Sequence, residues 1–207
     1  WGKKARLSFR TIAQEDDVNA SPLAEAGWAE AFPGAPDWVL GQAEETMRGY
    51  GKSVSMPEDE SVILTSGEEY YAVLWDAQTG EKLKQFRSEW KKGIALSGIA
   101  PDGQSVVTGG NDTYLRIWDM ERGMIANHLT GSSLTNVAFT PDSTTAYMGM
   151  TRGGKGHMRK IDLATGALSG VPGAPGGRNI SASSVAVDPS GGLIAYGYQH
   201  EGRRSYT

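Results

Sequence analysis

The chain has no cysteine, which excludes disulfides, thiolate metal ligands and cysteine nucleophiles. It also lacks any apolar run near the roughly 18 residues that a membrane-spanning helix needs. A net charge of -4 gives no basic footprint for nucleic acid. We therefore expect no nucleic-acid partner and no membrane span. The absence of cysteine favours the cytoplasm, whereas three glycosylation sequons, at Asn19, Asn111 and Asn179, leave a secreted or periplasmic location as the alternative.

Glycine, by contrast, is abundant, with 28 residues among 207, as many short strands joined by tight turns require. The strongest pattern is a triplet that recurs every 43 positions and is followed each time by a turn sequence. Its three copies are Leu74-Trp75-Asp76, Ile117-Trp118-Asp119 and Lys160-Ile161-Asp162. A fixed period of this length indicates a stacked repeat of one supersecondary unit.

A second set of markers divides each unit into strands. Four turns begin with proline and are spaced by 44, 40 and 48 residues, at positions 57, 101, 141 and 189. Strands are predicted around them over 95–100, 104–108, 114–118 and 124–129 in the second unit, and over 135–139, 145–148 and 158–161 in the third. The first unit covers about 52–86, and the fourth has strands over 184–187 and 193–196. Four short antiparallel strands per unit predict an all-β propeller.

The segment 101–119 resembles the WD-repeat family. Thr108, Asp112 and Trp118 match three members of the hydrogen-bonded group that stiffens a typical blade, but the family's histidine ahead of the first strand is missing. The resemblance implies four-stranded antiparallel blades, about three and a half to four of them, and a rigid platform for protein partners. A kelch or quinoprotein-type propeller is the alternative architecture.

The expected organisation is an N-terminal extension or degenerate blade over 1–50, followed by blades over about 51–86, 87–129, 130–170 and 171–207, the last truncated. Such a set does not close the usual ring, which leaves four interpretations. Further blades lie outside this chain, the segment 5–13 adds a strand to the last blade, two chains complete one ring, or a partner covers the open blades.

Signals for chemistry are weak throughout. The segment 149–156 has the glycine and lysine spacing of a phosphate-binding loop, but a strand follows it, so we interpret it as a lengthened blade turn. His157 and His200 are predicted on comparable turns of adjacent blades, as surface residues. Asp76, Asp119 and Asp162 recur with the repeat and are predicted to accept hydrogen bonds in turns. We therefore predict no catalytic, metal or cofactor residue and no bound cofactor.

A candidate partner site lies in the loop that enters the second blade. It combines an aromatic with basic residues, a composition typical of binding hot spots, and turns on the same rim extend it; the predicted residues are Arg87, Trp90, Lys91, Lys92, Tyr70, Arg152 and Lys155. The alternative for Trp90 is that it covers the blade edge. The function predicted is a non-catalytic interaction scaffold in a multi-subunit complex, binding an acidic or phosphorylated segment. The alternatives are part of an enzyme or cofactor protein whose active site lies elsewhere, or a secreted glycan-binding propeller.

Overall fold

The computed structural model describes residues 51–67, 70–88, 93–152, 155–174, 177–178 and 180–200. Every regular element in these ranges is a β-strand. None of the described residues forms a helix long and apolar enough to cross a bilayer. The predicted extension over 1–50, with the strand suggested over 5–13, lies outside the described residues.

The first two blades are complete four-stranded antiparallel sheets. The first contains β1 (Gly51–Ser55), β2 (Val62–Gly67), β3 (Tyr71–Asp76) and β4 (Lys82–Arg87), paired in chain order. The second contains β5 (Leu96–Ile99), β6 (Ser105–Gly109), β7 (Tyr114–Asp119) and β8 (Gly123–Leu129), again in chain order. The all-β fold of four-stranded antiparallel blades predicted from the repeat is confirmed.

The third and fourth units share one sheet. The third contains β9 (Ser133–Phe139), β10 (Thr145–Arg152), β11 (Lys155–Asp162) and two short outer strands, β12 (Leu168–Gly170) and β13 (Gly177–Arg178), both paired with β11. The fourth contains β14 (Ile180–Val187) and β15 (Ile194–His200). A single parallel pair, Lys155 with Ile180, joins β14 to β11.

Apolar side chains fill the spaces between successive blades, because each sheet buries both of its faces against neighbours. The cluster between the first and second blades includes Leu64, Leu74, Phe86, Ile99 and Val106. The cluster between the second and third blades includes Val107, Leu115, Ile117, Met148 and Ile161. The innermost strands β1, β5, β9 and β14 follow one another in contact. This double burial explains why runs such as Val73-Leu74-Trp75 are apolar without alternation.

The turns between first and second strands also link the blades to one another. The Glu58 amide donates to the Pro101 carbonyl at 2.8 Å. One blade further on, the Asp102 amide donates to Ser143 Oγ at 3.0 Å. These turns, together with those between third and fourth strands, form one side of the molecule, which we call the turn rim. Backbone amides at this rim therefore bond the first blade to the second and the second to the third.

Residues 149–152 and 155–156 belong to paired strands, so the prediction of a lengthened turn there is wrong. Pairing between β10 and β11 continues without interruption from Thr145 with Asp162 to Arg152 with Lys155. The extra length lies in two eight-residue strands. His157 consequently lies within β11, paired with Met150, and not on a turn. His200 is the last residue of β15.

The repeated aspartates accept hydrogen bonds in the turns between third and fourth strands. Asp76 Oδ1 accepts from the amides of Gln78 and Thr79 at 2.8 and 2.7 Å. Asp119 accepts in the same way from the two amides after Met120, and Asp162 accepts from the amide and hydroxyl of Thr165. These bonds hold the pKa of each carboxyl below its usual value, chiefly through the amide of Thr79 for Asp76, the amide of Arg122 for Asp119 and the Thr165 hydroxyl for Asp162.

We expect these turns to make stability sensitive to acid. A carboxyl whose pKa is lower in the folded state stabilises the fold above its unfolded pKa, about 3.9, and this contribution is lost as pH falls through the folded pKa. Tm measured from about pH 7 down to about pH 2.5 should fall most steeply below about pH 4. The Tm of the triple variant Asp76→Asn/Asp119→Asn/Asp162→Asn should fall less steeply with pH than that of the parent. The control Glu58→Gln/Glu81→Gln/Glu121→Gln makes an equal charge change at exposed residues, and its Tm should follow the parent. Identical slopes for the two triple variants would contradict the prediction.

Candidate functional site

The loops opposite the turn rim form a second rim, which we call the loop rim. It consists of the described residues 70, 88, 93–95, 110–113 and 130–132, which join blades or connect second to third strands. Backbone hydrogen bonds link these loops to one another. The Ser88 amide donates to the Tyr70 carbonyl at 2.7 Å, and the Thr130 amide donates to the Thr113 carbonyl at 3.0 Å. The loop rim therefore presents its side chains from fixed backbone positions.

A buried ion pair lies beneath the loop rim of the second blade. Arg116 Nη1 is 2.7 Å from Asp112 Oδ2, and both side chains are almost completely buried. Ser88 Oγ donates to the same Oδ2 at 2.8 Å, and the Tyr114 amide donates to Oδ1 at 3.2 Å. The Tyr114 ring also lies 5.1 Å from the Arg116 guanidinium carbon. Ser88 and the Tyr114 amide thus supply the hydrogen bonds of this aspartate in place of the missing histidine, and Arg116 neutralises its charge.

Sequence reasoning missed Arg116, although a signal was present. An arginine four residues after the matched aspartate, between Leu115 and Ile117, stands in a strand whose neighbours are apolar on both sides. In a blade buried on both faces, such a charge needs a partner. Asp112 is the acid within its reach.

The tryptophans of the repeat bond to threonines on the neighbouring strand. Trp118 Nε1 donates to Thr108 Oγ1 at 2.9 Å in the second blade. Trp75 Nε1 donates to Thr65 Oγ1 at 2.8 Å in the first. In the third unit Ile161 replaces the tryptophan and packs in the apolar cluster between blades. The tryptophan bond therefore joins second and third strands in two blades, and apolar packing takes over in the third.

A serine also fixes the next inter-blade loop. Ser132 occupies the position 44 residues after Ser88, and its Oγ lies 3.3 Å from His157 Nε2. Burial lowers the pKa of His157, and the nearby charge of Arg159 lowers it further. A neutral imidazole donates or accepts one hydrogen bond at Nε2 according to its tautomer, and the Ser132 hydroxyl can take either role. Because Ser132 is buried, this contact ties β11 to the loop and does not present a nucleophile to solvent.

Two of the predicted partner residues meet on the first blade. Tyr70 is exposed, and its ring stands edge-on to Tyr71 with centroids 5.5 Å apart. Arg87 pairs across the sheet with Tyr71, and its Nε and Nη2 both donate to Gln85 Oε1, at 3.1 and 2.8 Å. The structure thus brings an exposed aromatic ring and an oriented guanidinium to the same end of one blade.

Arg152 lies apart from this pair, beside the loop between the second and third blades. Its guanidinium lies against Gly131, where an added Cβ would be 2.7 Å from Nη1. The backbone of Lys155 pairs with that of Arg152 in the β10–β11 ladder. Trp90, Lys91 and Lys92 lie outside the described residues. Within the described residues, no group of three or more histidine, aspartate or glutamate side chains could hold a metal ion.

Four-stranded antiparallel blades, packed face to face, define the class of β-propeller proteins. Residues 80–119 match the family model described as "WD domain, G-beta repeat". The chain therefore contains a WD repeat, and the matched segment includes Thr108, Asp112 and Trp118. The resemblance predicted from the sequence is confirmed.

A solved structure with a similar fold is titled "Kuenenia stuttgartiensis Hydrazine Synthase", with a TM-score of 0.64 and 18% sequence identity. The likeness covers 78% of this chain and 47% of that chain, so the present chain spans about half of it. Comparison with curated proteins finds no match. At this identity the similarity establishes the fold alone, since one fold supports many functions.

Proposed function

We propose that this chain is a non-catalytic, cytoplasmic interaction scaffold whose loop rim binds a partner protein. The observation that carries the proposal is the presence of the exposed Tyr70 ring and the oriented Arg87 guanidinium at the same end of one blade. Tyrosine and arginine are the residue types that most often dominate binding energy at interfaces. The WD repeat supports the same role, because domains of this family generally mediate protein interactions.

An acidic or phosphorylated segment is the partner chemistry that suits this surface. Arginine carries five N–H donors in a planar fork, and the bonds to Gln85 orient that fork while using only part of it. Carboxylates and phosphates accept two parallel N–H bonds from such a fork. The exposed Tyr70 ring, at the same end of the blade, offers apolar contact area to the neighbouring residues of the segment.

Affinity purification of the tagged chain from its native cells, followed by mass spectrometry, tests the scaffold role. We expect a defined set of partners that Tyr70→Ala and Arg87→Ala each deplete by about tenfold, as loss of an interface hot spot implies. Arg122→Ala, which removes an exposed arginine from the turn rim, is the matched control and should retain the set. Equal recovery with all three variants would show that this surface is not the binding site. Recovery of the chain from a secreted or periplasmic fraction would overturn the cytoplasmic part of the proposal.

Peptide arrays then test the partner chemistry separately. Acidic and phosphorylated peptides should bind more tightly than their neutral counterparts, and binding should weaken as salt rises. Arg87→Lys keeps the charge and loses the fork, so it should retain salt dependence with reduced affinity. A preference for neutral peptides would show that the partner segment is not acidic or phosphorylated, without contradicting the scaffold role.

A further inference from the structure

The junction between the first and second blades contains a polar layer, which we define as Ser53, Ser66, Ser97, Thr108 and Arg116. In the first blade Ser53 of β1 pairs with Ser66 of β2. In the second blade Ser97 of β5 pairs with Thr108 of β6, which pairs with Arg116 of β7. Directly paired residues of antiparallel strands project from the same sheet face. The layer therefore consists of one polar row on each blade.

The two rows face each other across the junction. Ser53 Oγ donates to the Ser97 carbonyl at 2.7 Å, a bond that crosses from one blade to the other. Alternation along β2 places Ser66 on the face of Leu64, and alternation along β5 places Ser97 on the face of Ile99. Leu64 and Ile99 belong to the single apolar cluster that joins these blades. The polar layer thus lies beside that cluster, inside the same junction.

Several polar atoms of this layer are buried without an aligned hydrogen-bond partner. Ser66, Ser97 and Arg116 are at most 2% exposed. Among the residues that the structure describes, Ser66 Oγ, Ser97 Oγ and both terminal nitrogens of Arg116 lack such a partner. The contact of Nη1 with Asp112 supplies charge neutralisation, but its N–H groups are not aligned with the carboxylate oxygen. Buried polar groups in native proteins are nearly always paired, either with protein atoms or with ordered water.

The chemistry of these atoms defines what would pair with them. The guanidinium only donates, so its ligand must accept; the two hydroxyls both donate and accept. The ligand must be neutral, because Asp112 already balances the charge of Arg116. It must also be small, since Ser66, Ser97 and Arg116 are almost completely buried. Water meets all of these requirements, and buried water typically makes about three hydrogen bonds to such groups.

We propose that the polar layer is a binding site for ordered internal water, which pairs with Ser66 and Ser97 and with the terminal nitrogens of Arg116. The site forms only when the two blades are packed together, because each blade supplies one row. Bound water would thereby complete the hydrogen bonding of a junction that otherwise packs mainly through its apolar cluster.

Long-lived water in the full chain can be counted by oxygen-17 relaxation dispersion, and located by nuclear Overhauser contacts between water and the amides of Ser66 and Ser97. We expect such contacts in the parent chain. The variant Ser66→Ala/Ser97→Ala should lose at least one long-lived water. A parent chain without long-lived water at these amides would overturn the proposal, as would a double variant with the same water count as the parent.

Thermal unfolding of the same variants is an independent test, because Tm changes in opposite directions for a hydrated and a dry layer. If the layer is hydrated, the double variant loses hydrogen bonds to water, and its Tm should fall by about 2–4 °C. If the layer is dry, removing two unpaired hydroxyls should raise Tm. Ser55→Ala, which removes the 2.9 Å bond from the Ile99 amide to Ser55 Oγ in the same junction, calibrates the loss of one protein–protein bond. A raised Tm in the double variant overturns the proposal.

Discussion

Replacing Asp112 with alanine should destabilise the chain by about 3–5 kcal/mol, because it leaves the Arg116 charge buried and uncompensated. The same change removes the acceptor for the Ser88 hydroxyl and for the Tyr114 amide. Such a loss is a large share of the roughly 5–15 kcal/mol that stabilises a typical domain. Urea unfolding followed by circular dichroism would measure it.

Two further variants separate the buried charge from simple loss of contacts. Asp112→Ala/Arg116→Met removes both charges and keeps much of the arginine's volume, so it should be more stable than Asp112→Ala alone. Asp102→Ala removes an aspartate from an exposed turn, where its Oδ1 accepts only from the nearby Gln104 amide, and should cost about 1 kcal/mol. Equal losses for Asp112→Ala and Asp102→Ala would show that the ion pair does not organise the blade.

Gly110→Ala should destabilise the chain by about 3 kcal/mol through a clash that the backbone cannot relieve. A Cβ at this position would lie 2.2 Å from the Gly93 carbonyl oxygen and 2.6 Å from the Ala95 amide nitrogen. Both atoms belong to the backbone that leads into β5, and the Asn111 amide bonds to the same Gly93 carbonyl at 3.2 Å. Relief of the clash would therefore separate the loop from the blade.

The matched control for this substitution is Gly170→Ala in β12. A Cβ there meets no atom within 4 Å, so its effect on stability should be near zero. Both variants add one methyl group to a glycine, and only the local space differs. If Gly110→Ala unfolds at the same urea concentration as Gly170→Ala, the two loops are not in contact as described.

The repeat made the architecture predictable, since a 43-residue period with proline turns constrains strands more tightly than local propensity does. The strands of the second blade and the contact between Thr108 and Trp118 follow from that pattern. Two features do not follow from it. Burial of Arg116 depends on packing against the first blade, and its local signal, an arginine between Leu115 and Ile117, is independent of the repeat. The length of the β10–β11 hairpin depends on pairing, and the glycines at 149 and 156 obscured it because glycine signals turns more often than strands.

The candidate site was predictable in part for a similar reason. Sequence reasoning placed Tyr70 and Arg87 on the same rim from the order of strands. It could not show that Gln85 orients the guanidinium or that Tyr71 supports the Tyr70 ring. Those contacts arise because β3 and β4 pair Tyr71 with Arg87, a register that only the folded sheet defines.

The amide of Glu58 bonds to the Pro101 carbonyl of the next blade and to no strand of its own. Its rate of exchange with deuterium is therefore governed by the separation of two blades, whereas amides inside β2 exchange only when the first blade itself opens. Local and sub-global openings of this kind differ in free energy within one protein. Exchange at the Glu58 amide thus distinguishes separation of the first and second blades from unfolding of the first blade itself.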